Sequence, residues 1–168
     1  MTLARRVIWK EGMFLRAHHF QQQDRRVESL LAARAAALEP FSWGFTDLEI
    51  DRGLLEAGQV GLTRAAGAFA DGALFDAPGE AAEIAPIRPG PEAAGALVWL
   101  AVPALALGAP LAAAAPGAAR YAVRPEDLAN QLDPGAAPQT LELGRIGLRL
   151  SAGPRPEGFD ALPIARIA

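Results

Sequence analysis

The chain has 168 residues, enough for one domain with a sizeable core, and sixteen basic against nineteen acidic residues give a formal charge of −3. With no net positive charge and no arginine cluster beyond pairs, the composition argues against a nucleic-acid binder. Without cysteine there is no disulfide framework, thiolate metal site or cysteine nucleophile, a composition that fits a reducing compartment. Apolar residues make up 51% of the chain, but 38 are Ala, so the core must rest on a smaller set of Leu, Ile, Val, Phe and Trp.

Residues 1–19 read as irregular or extended, with Val7-Ile8-Trp9 as a short strand. Arg5, Arg6, Lys10 and Glu11 surround the apolar patch there, and no long apolar run followed by small residues marks a secretory signal. A helix is predicted from His19 or Phe20 to about Leu38. Its apolar positions Phe20, Val27, Leu30, Leu31, Ala35 and Leu38 recur at helical spacing, and Pro40 ends it. Short strands follow from about residue 45 to the C-terminus. In Phe45–Asp51, Leu48 and Ile50 point to one side while Asp47, Glu49 and Asp51 share the other. Arg52-Gly53 reads as a turn, and Leu54-Leu55 and Val60–Thr63 as strand material. Asp71-Gly72, between Phe69 and Leu74-Phe75, is the strongest hairpin signal in the chain, because both central positions favour left-handed backbone.

Residues 76–95 read as a loop, Ala96–Val102 as a buried strand and 103–119 as a second loop. The uncharged run Ala93–Ala119 is long enough to span a bilayer, but Pro103, Pro110, Pro116, Gly95, Gly108 and Gly117 interrupt it, so strand plus loop is preferred over a membrane segment. Tyr121–Val123 is a short strand before Pro125, and Glu126–Gln131 one helical turn. Thr140–Leu150 keeps period two in Leu141/Leu143 and again in Ile146/Leu148/Leu150 with a shift between, which calls for a bulge or hairpin near Gly144 and Gly147. Phe159–Ala168 supplies a last strand. One helix followed by seven or eight short strands, with no internal repeat, predicts a mainly β domain: an antiparallel β-sandwich or barrel with one N-terminal α-helix.

Residues able to carry chemistry are few. Ser29, Ser42 and Ser151 are the only serines, and His18 and His19 are adjacent, so on a helix they point about 100° apart with no third ligand at a familiar spacing. One of them satisfied by backbone at the helix start accounts for the pair without a metal. No phosphate-binding loop, dinucleotide fingerprint or nucleophile elbow occurs. Asp47, Glu49 and Asp51 on one strand face fit acid/base work or calcium, and equally a solvated face. Trp9, Phe14, Phe20, Phe41, Trp43 and Phe45 concentrate aromatic mass in the first 45 residues, as a core anchored by the helix or as an exposed anchor for a partner, with Trp43 expected in the core. No catalytic residue, cofactor or metal is assigned.

Val7-Ile8-Trp9-Lys10-Glu11-Gly12-Met13-Phe14-Leu15, His19-Phe20-Gln21-Gln22-Gln23-Asp24, Trp43-Gly44-Phe45, Leu48-Glu49-Ile50-Asp51 and Asp71-Gly72-Ala73-Leu74-Phe75-Asp76-Ala77-Pro78 occur in one order along the chain. Together they resemble the N-terminal part of the TssK (ImpJ/VasE) family of type VI secretion baseplate subunits. Leu162-Pro163-Ile164-Ala165-Arg166-Ile167 looks like that part's last strand. Ala17-His18 stands where the family usually has Pro-Gln, and Ala70 where Pro is common.

The resemblance implies a structural, non-enzymatic role. It implies a β-sandwich shoulder, similar to the shoulder of phage receptor-binding proteins, occupying residues 1–168 as a single domain, with the family's helical neck and C-terminal head absent. It implies a cytoplasmic adaptor whose shoulder attaches to the TssF–TssG wedge, whose head meets the TssJLM membrane complex, and which is a homotrimer at full length. Trp9, Glu11, Met13, Phe20, Gln21 and Gln22 are the candidate protein-contact residues; pinning the helix onto the sandwich is the competing role for the same six. Two other readings of the fold are a β-sandwich carbohydrate- or ligand-binding module and a hydrolase with paired carboxylates, both resting on the Asp47/Glu49/Asp51 face.

Overall fold

The computed structural model describes residues 3–106, 109–115, 117–133 and 135–168. An extended N-terminal stretch leads into α1 (Ala17–Leu38). Strand β1 (Gly44–Ile50) follows, then a one-turn helix α2 (Arg52–Glu56), β2 (Leu62–Ala68) and β3 (Leu74–Ala77). After a 3-10 turn at Pro91–Ala93 come β4 (Leu97–Pro103), β5 (Ala112–Ala113), β6 (Tyr121–Leu128), β7 (Gln139–Ile146), β8 (Arg149–Gly153) and β9 (Phe159–Arg166). The result is mainly β with one long helix, as the spacing of turn signals predicts.

The strands form three three-stranded sheets, ordered β1-β2-β3, β8-β4-β9 and β5-β6-β7. Among the described residues the ladders between these strands are antiparallel, except that the two-residue β5 runs parallel to β6. The apolar run Leu97–Pro103 forms β4 at the centre of its sheet. Val98, Leu100, Ala101 and Val102 are fully buried there, because the strand is paired on both edges and covered on both faces. Leu100 lies opposite Leu150 of β8 and Leu162 of β9, giving a row of leucines across three strands. That row joins Ala65, Phe75 and Ala77 of the first sheet and Phe69 of its hairpin loop, together with Ile146 and Leu148, in one core. Burying a Leu in such a row stabilises the fold by about 1.5–3 kcal/mol.

The hairpin predicted at Asp71-Gly72 joins β2 to β3. Its tip closes through Phe69 N–H to Ala73 O (2.8 Å), and the Asp71 carboxylate accepts from Ala73 N–H at 3.0 Å. Gly72 takes φ +93° while Asp71 stays out of the left-handed region, so the tip is a five-residue loop and not a two-residue turn. A Cβ on Gly72 would lie 2.6 Å from Ala32 Cβ, since α1 crosses directly over this tip.

Several expectations are corrected. Val7-Ile8-Trp9 is extended but pairs with no strand. The predicted turn and strand at residues 52–55 are helix α2, because the Asp51 carboxylate accepts from Leu54 N–H at 3.0 Å and caps it. Glu126–Leu128 continues β6 instead of turning into helix. Pro125 is tolerated because β5 covers β6 only at Tyr121 and Ala122, leaving Pro125 on an open edge opposite Glu142 of β7. The register change within Thr140–Leu150 is neither bulge nor hairpin: at Gly147-Leu148 the chain leaves the third sheet and enters the second. In the predicted loop at 103–119, Leu107, Gly108 and Pro116 lie outside the described residues, and Ala112-Ala113 form β5. Among the described residues no helix is long and apolar enough to cross a membrane.

Candidate protein interface

Helix α1 starts at Ala17, two or three residues before the predicted start. Arg16 N–H donates to His19 Nδ1 at 3.0 Å and His19 N–H to Arg16 O at 2.9 Å, so His19 serves the helix terminus through a backbone group. The stretch before it folds back along the helix. Gln22 Nε2 donates to Arg5 O (2.6 Å), Arg26 Nη1 to Ala4 O (2.9 Å), and Ser29 Oγ accepts from Ala4 N–H (3.1 Å). At the other end the Trp9 ring lies 6.0 Å from the His19 ring. Three polar side chains on one helix face thus hold the backbone at Ala4 and Arg5, while Ile8, Trp9, Phe14 and Leu15 further along remain exposed.

The sequence leaves the helix's apolar positions open between core anchor and exposed contact, and the stripe does not join the core. No residue of α1 is buried, and its half-buried positions are His19, Gln22, Gln23, Arg26, Ser29, Ala32 and Ala33. These occupy the face opposite Phe20, Val27, Leu31 and Leu38. The helix meets the sheets with small residues at the Gly72 tip and meets the N-terminal segment with polar ones, so its apolar stripe points to solvent. Such a stripe in water is the mark of a contact surface awaiting a partner.

Of the six predicted contact residues, Trp9 (47% exposed), Phe20 (54%), Glu11 and Gln21 are open to solvent, while Met13 and Gln22 are half-buried. Gln22 is occupied in holding Arg5, and Met13 N–H closes a turn onto Lys10 O at 3.3 Å. The structure adds Ile8, Phe14 (78%) and Leu15, all exposed in the same segment. Phe14 is already among the aromatics read as core or exposed anchor, while Ile8 and Leu15 stand in the motif that carries the family resemblance and have no separate signal.

A second exposed cluster surrounds the start of β1. Trp43, expected in the core, is half exposed because the β1–β2 ladder begins only at Gly44 opposite Ala68, one residue later. Phe41 lies beside it at φ +64°, with its carbonyl accepting from Trp43 N–H at 2.7 Å. Phe41, Trp43 and Leu74 line an open groove of about 590 Å³ together with Glu39, Asp76 and Glu80. Of the early aromatics only Phe45 packs on the core, edge-on to Phe75 at 5.8 Å.

The acidic strand face is dispersed. Arg64 bridges Asp47 (3.1 Å) and Asp76, which together raise its guanidinium above its ordinary value, and Asp51 lies past the end of β1 as the cap of α2. Among the described residues no group of three or more His, Asp or Glu is placed to hold a metal ion.

A buried charge cluster escaped the sequence reading. Arg120 is 4% exposed; its guanidinium pairs with Asp71 at the hairpin tip and donates to Pro103 O at 2.9 Å. Burial and the neighbouring Asp71 push the Asp160 carboxyl above the usual carboxylate range, against the opposing pull of Arg120 and Arg155. Burial, reinforced by Glu28 of α1, likewise raises the Tyr121 hydroxyl. The only hint in the sequence is that Arg120 is the first charge after the run 93–119.

The family model T6SS_VasE, described as bacterial type VI secretion, EvfL, ImpJ, VasE, matches residues 19–168. This chain belongs to that family. It is 37% identical over 108 residues to the type VI secretion system baseplate component TssK1 of Pseudomonas aeruginosa, covering 64% of this chain and 24% of that protein. A crystal structure of TssK superposes with a TM-score of 0.88 at 30% identity, over 97% of this chain and 38% of that one. The TssK-TssF-TssG baseplate subcomplex contains a chain that superposes with a TM-score of 0.83 at 20% identity, over 98% of this chain and 56% of that one, which shows the shared fold. The chain therefore spans about a quarter of the curated relative's length and under two-fifths of the crystallised TssK. The VasE/TssK chains are baseplate components of type VI secretion, and this chain carries the fold of their N-terminal part.

Proposed function

We propose that this chain is the wedge-attaching shoulder of a type VI secretion baseplate adaptor, a structural and non-enzymatic part working on the cytoplasmic side. The observation that carries the reading is that Ile8, Trp9, Phe14, Leu15 and Phe20 stand in solvent although the chain just before them is tied to α1 through the backbone of Ala4 and Arg5. A relative of the same fold is found in a subcomplex with TssF and TssG, which makes those two the partners to test. Trp9, Glu11, Met13, Phe20, Gln21 and Gln22 form the contact patch in this reading, joined by Phe14 and Leu15. In the longer family members a C-terminal head facing the TssJLM membrane complex, and a homotrimeric assembly, complete the adaptor.

The test is co-purification of this chain with the cognate TssF–TssG pair, with elution mass read by light scattering. A stable complex that is lost in Trp9→Ser/Phe14→Ser supports the patch. A complex untouched by that double substitution moves the contact elsewhere, and a folded chain that forms no complex refutes attachment through the shoulder alone.

A further inference from the structure

We propose that the groove beside the start of β1 docks an extended segment of a partner protein in which an arginine or lysine stands next to a bulky apolar residue. The groove lies on the outer face of the first sheet. In the β2–β3 ladder Ala65 lies opposite Ala77 and Gly67 opposite Phe75, and Ala65, Phe75 and Ala77 belong to the core. Alternation along the strands then puts the pairs Ala66–Asp76 and Ala68–Leu74 on the other face. The two alanines leave the sheet backbone nearly bare there, so an occupant can lie close to it. Phe41 and Trp43 add two exposed rings to the lining, and Leu74 is 77% exposed. Three strands at about 4.8 Å spacing make a floor roughly 10 Å across, the length of about three extended residues.

The charges decide what fits. The groove's carboxylates are Glu39, Asp76 and Glu80, and no Lys, Arg or His lines it. Asp76 is shared with Arg64, but among the described residues neither Glu39 nor Glu80 has an ion-pair partner. An anionic segment is repelled, and a purely apolar one takes water from two carboxylates without supplying a countercharge. A cationic side chain meets both the carboxylates and the faces of the exposed rings, which attract Arg and Lys. An apolar neighbour on the same segment covers Leu74. Phe41 is held at φ +64°, a conformation that disfavours an aromatic residue, and its ring takes no part in the core. The fold thus keeps this ring in solvent against a backbone preference. Ile8 to Phe20 lie before and at the start of α1, whereas the groove lies past its end. The 22-residue helix, about 33 Å long at about 1.5 Å per residue, runs between them. The groove is therefore a second contact, distinct from the wedge-attachment patch.

The test is an NMR titration of the isotopically labelled chain, with the indole N–H of Trp43 assigned by its loss in Trp43→Phe. The probes are the synthetic peptide acetyl-Gly-Arg-Leu-Arg-Leu-Gly-amide and two counterparts, one with Glu in place of Arg and one with Ser in place of Leu. The Arg-Leu peptide should shift Trp43 and the amides of β1 to β3 with a Kd below about 1 mM, at least about tenfold tighter than either counterpart. Glu39→Arg/Glu80→Arg changes two exposed positions and should weaken binding by about tenfold or more, and Trp43→Ser should do the same. The amide spectrum of each variant shows that its fold is kept. Equal binding of the Glu-Leu peptide overturns the proposal, as do shifts at Trp9 in place of Trp43, no shift at the solubility limit of the Arg-Leu peptide, or folded variants that bind it as the parent chain does. Trp43 shifts that grow with chain concentration in the absence of peptide also overturn it, because they give the groove to a second copy.

Discussion

Replacing Arg120 by Met keeps the apolar stem of the side chain and removes the buried guanidinium, with its charge and its hydrogen-bond donors. The guanidinium holds the Asp71 carboxylate and Pro103 O at the point where the β2–β3 hairpin, the end of β4 and Asp160 of β9 converge. Its removal leaves two carboxyl groups side by side and an unpaired carbonyl. Breaking a buried pair from one side costs about 3–5 kcal/mol, and the Asp71 side chain keeps some access to water, so the lower end is expected. For a domain of this length 1 kcal/mol corresponds to about 2–4 °C in Tm, so about 3 kcal/mol lowers Tm by roughly 6–12 °C. The loss must also depend on pH. Asp160 already lies above its unfolded value, and without Arg120 it is pushed further up. A carboxyl raised in the folded state binds more protons there than when unfolded, so stability falls as pH rises through that window. The deficit of Arg120→Met is therefore larger at neutral pH than in mild acid. Urea titrations at several pH values, followed by circular dichroism, measure both features. A loss under about 1 kcal/mol with no pH dependence would refute a structural role for the buried pair.

Four further outcomes are expected. Leu100→Ala, at the centre of the leucine row and fully buried, costs about 2–5 kcal/mol in the same titration. Gly67→Ala drives a Cβ into the Gly44 carbonyl of the paired strand β1; it destabilises by at least about 1 kcal/mol and loosens the edge of the Trp43 groove, read by Trp fluorescence. Asp160→Asn removes a carboxyl that is raised on folding, so the fall in stability with rising pH through the carboxylate window flattens in the variant. Asp47→Ala leaves Tm nearly unchanged, because the pair is solvent-screened and Arg64 keeps Asp76; a large loss would show that the acidic face has a role beyond this ion pair.

Local signals in the chain determine much of this protein. Pro40 stops α1, Asp71-Gly72 turns the hairpin, the uncharged run Leu97–Pro103 becomes the central strand, and the break in period at Gly147 ends β7. Each is a short-range preference of backbone or hydrophobic pattern, and each is legible without knowing what the segment touches. The resemblance carried by Trp9 to Asp24 and by the hairpin motif is of the same kind, since it rests on residues in order along the chain. Where the apolar faces point is a different matter. The stripe Phe20–Leu38 has the periodicity of a buried helix face, yet it lies in solvent because small Ala32 meets Gly72 and polar Gln22, Arg26 and Ser29 claim the other side. Trp43 is outside because the ladder starts one residue too late to cover it. Pro125 stays in a strand because its neighbour β5 is only two residues long, and Arg120 is buried because Asp71, 49 residues away, supplies the countercharge. Periodicity tells which residues share a face; only the packing of elements distant in sequence decides whether that face meets protein or water.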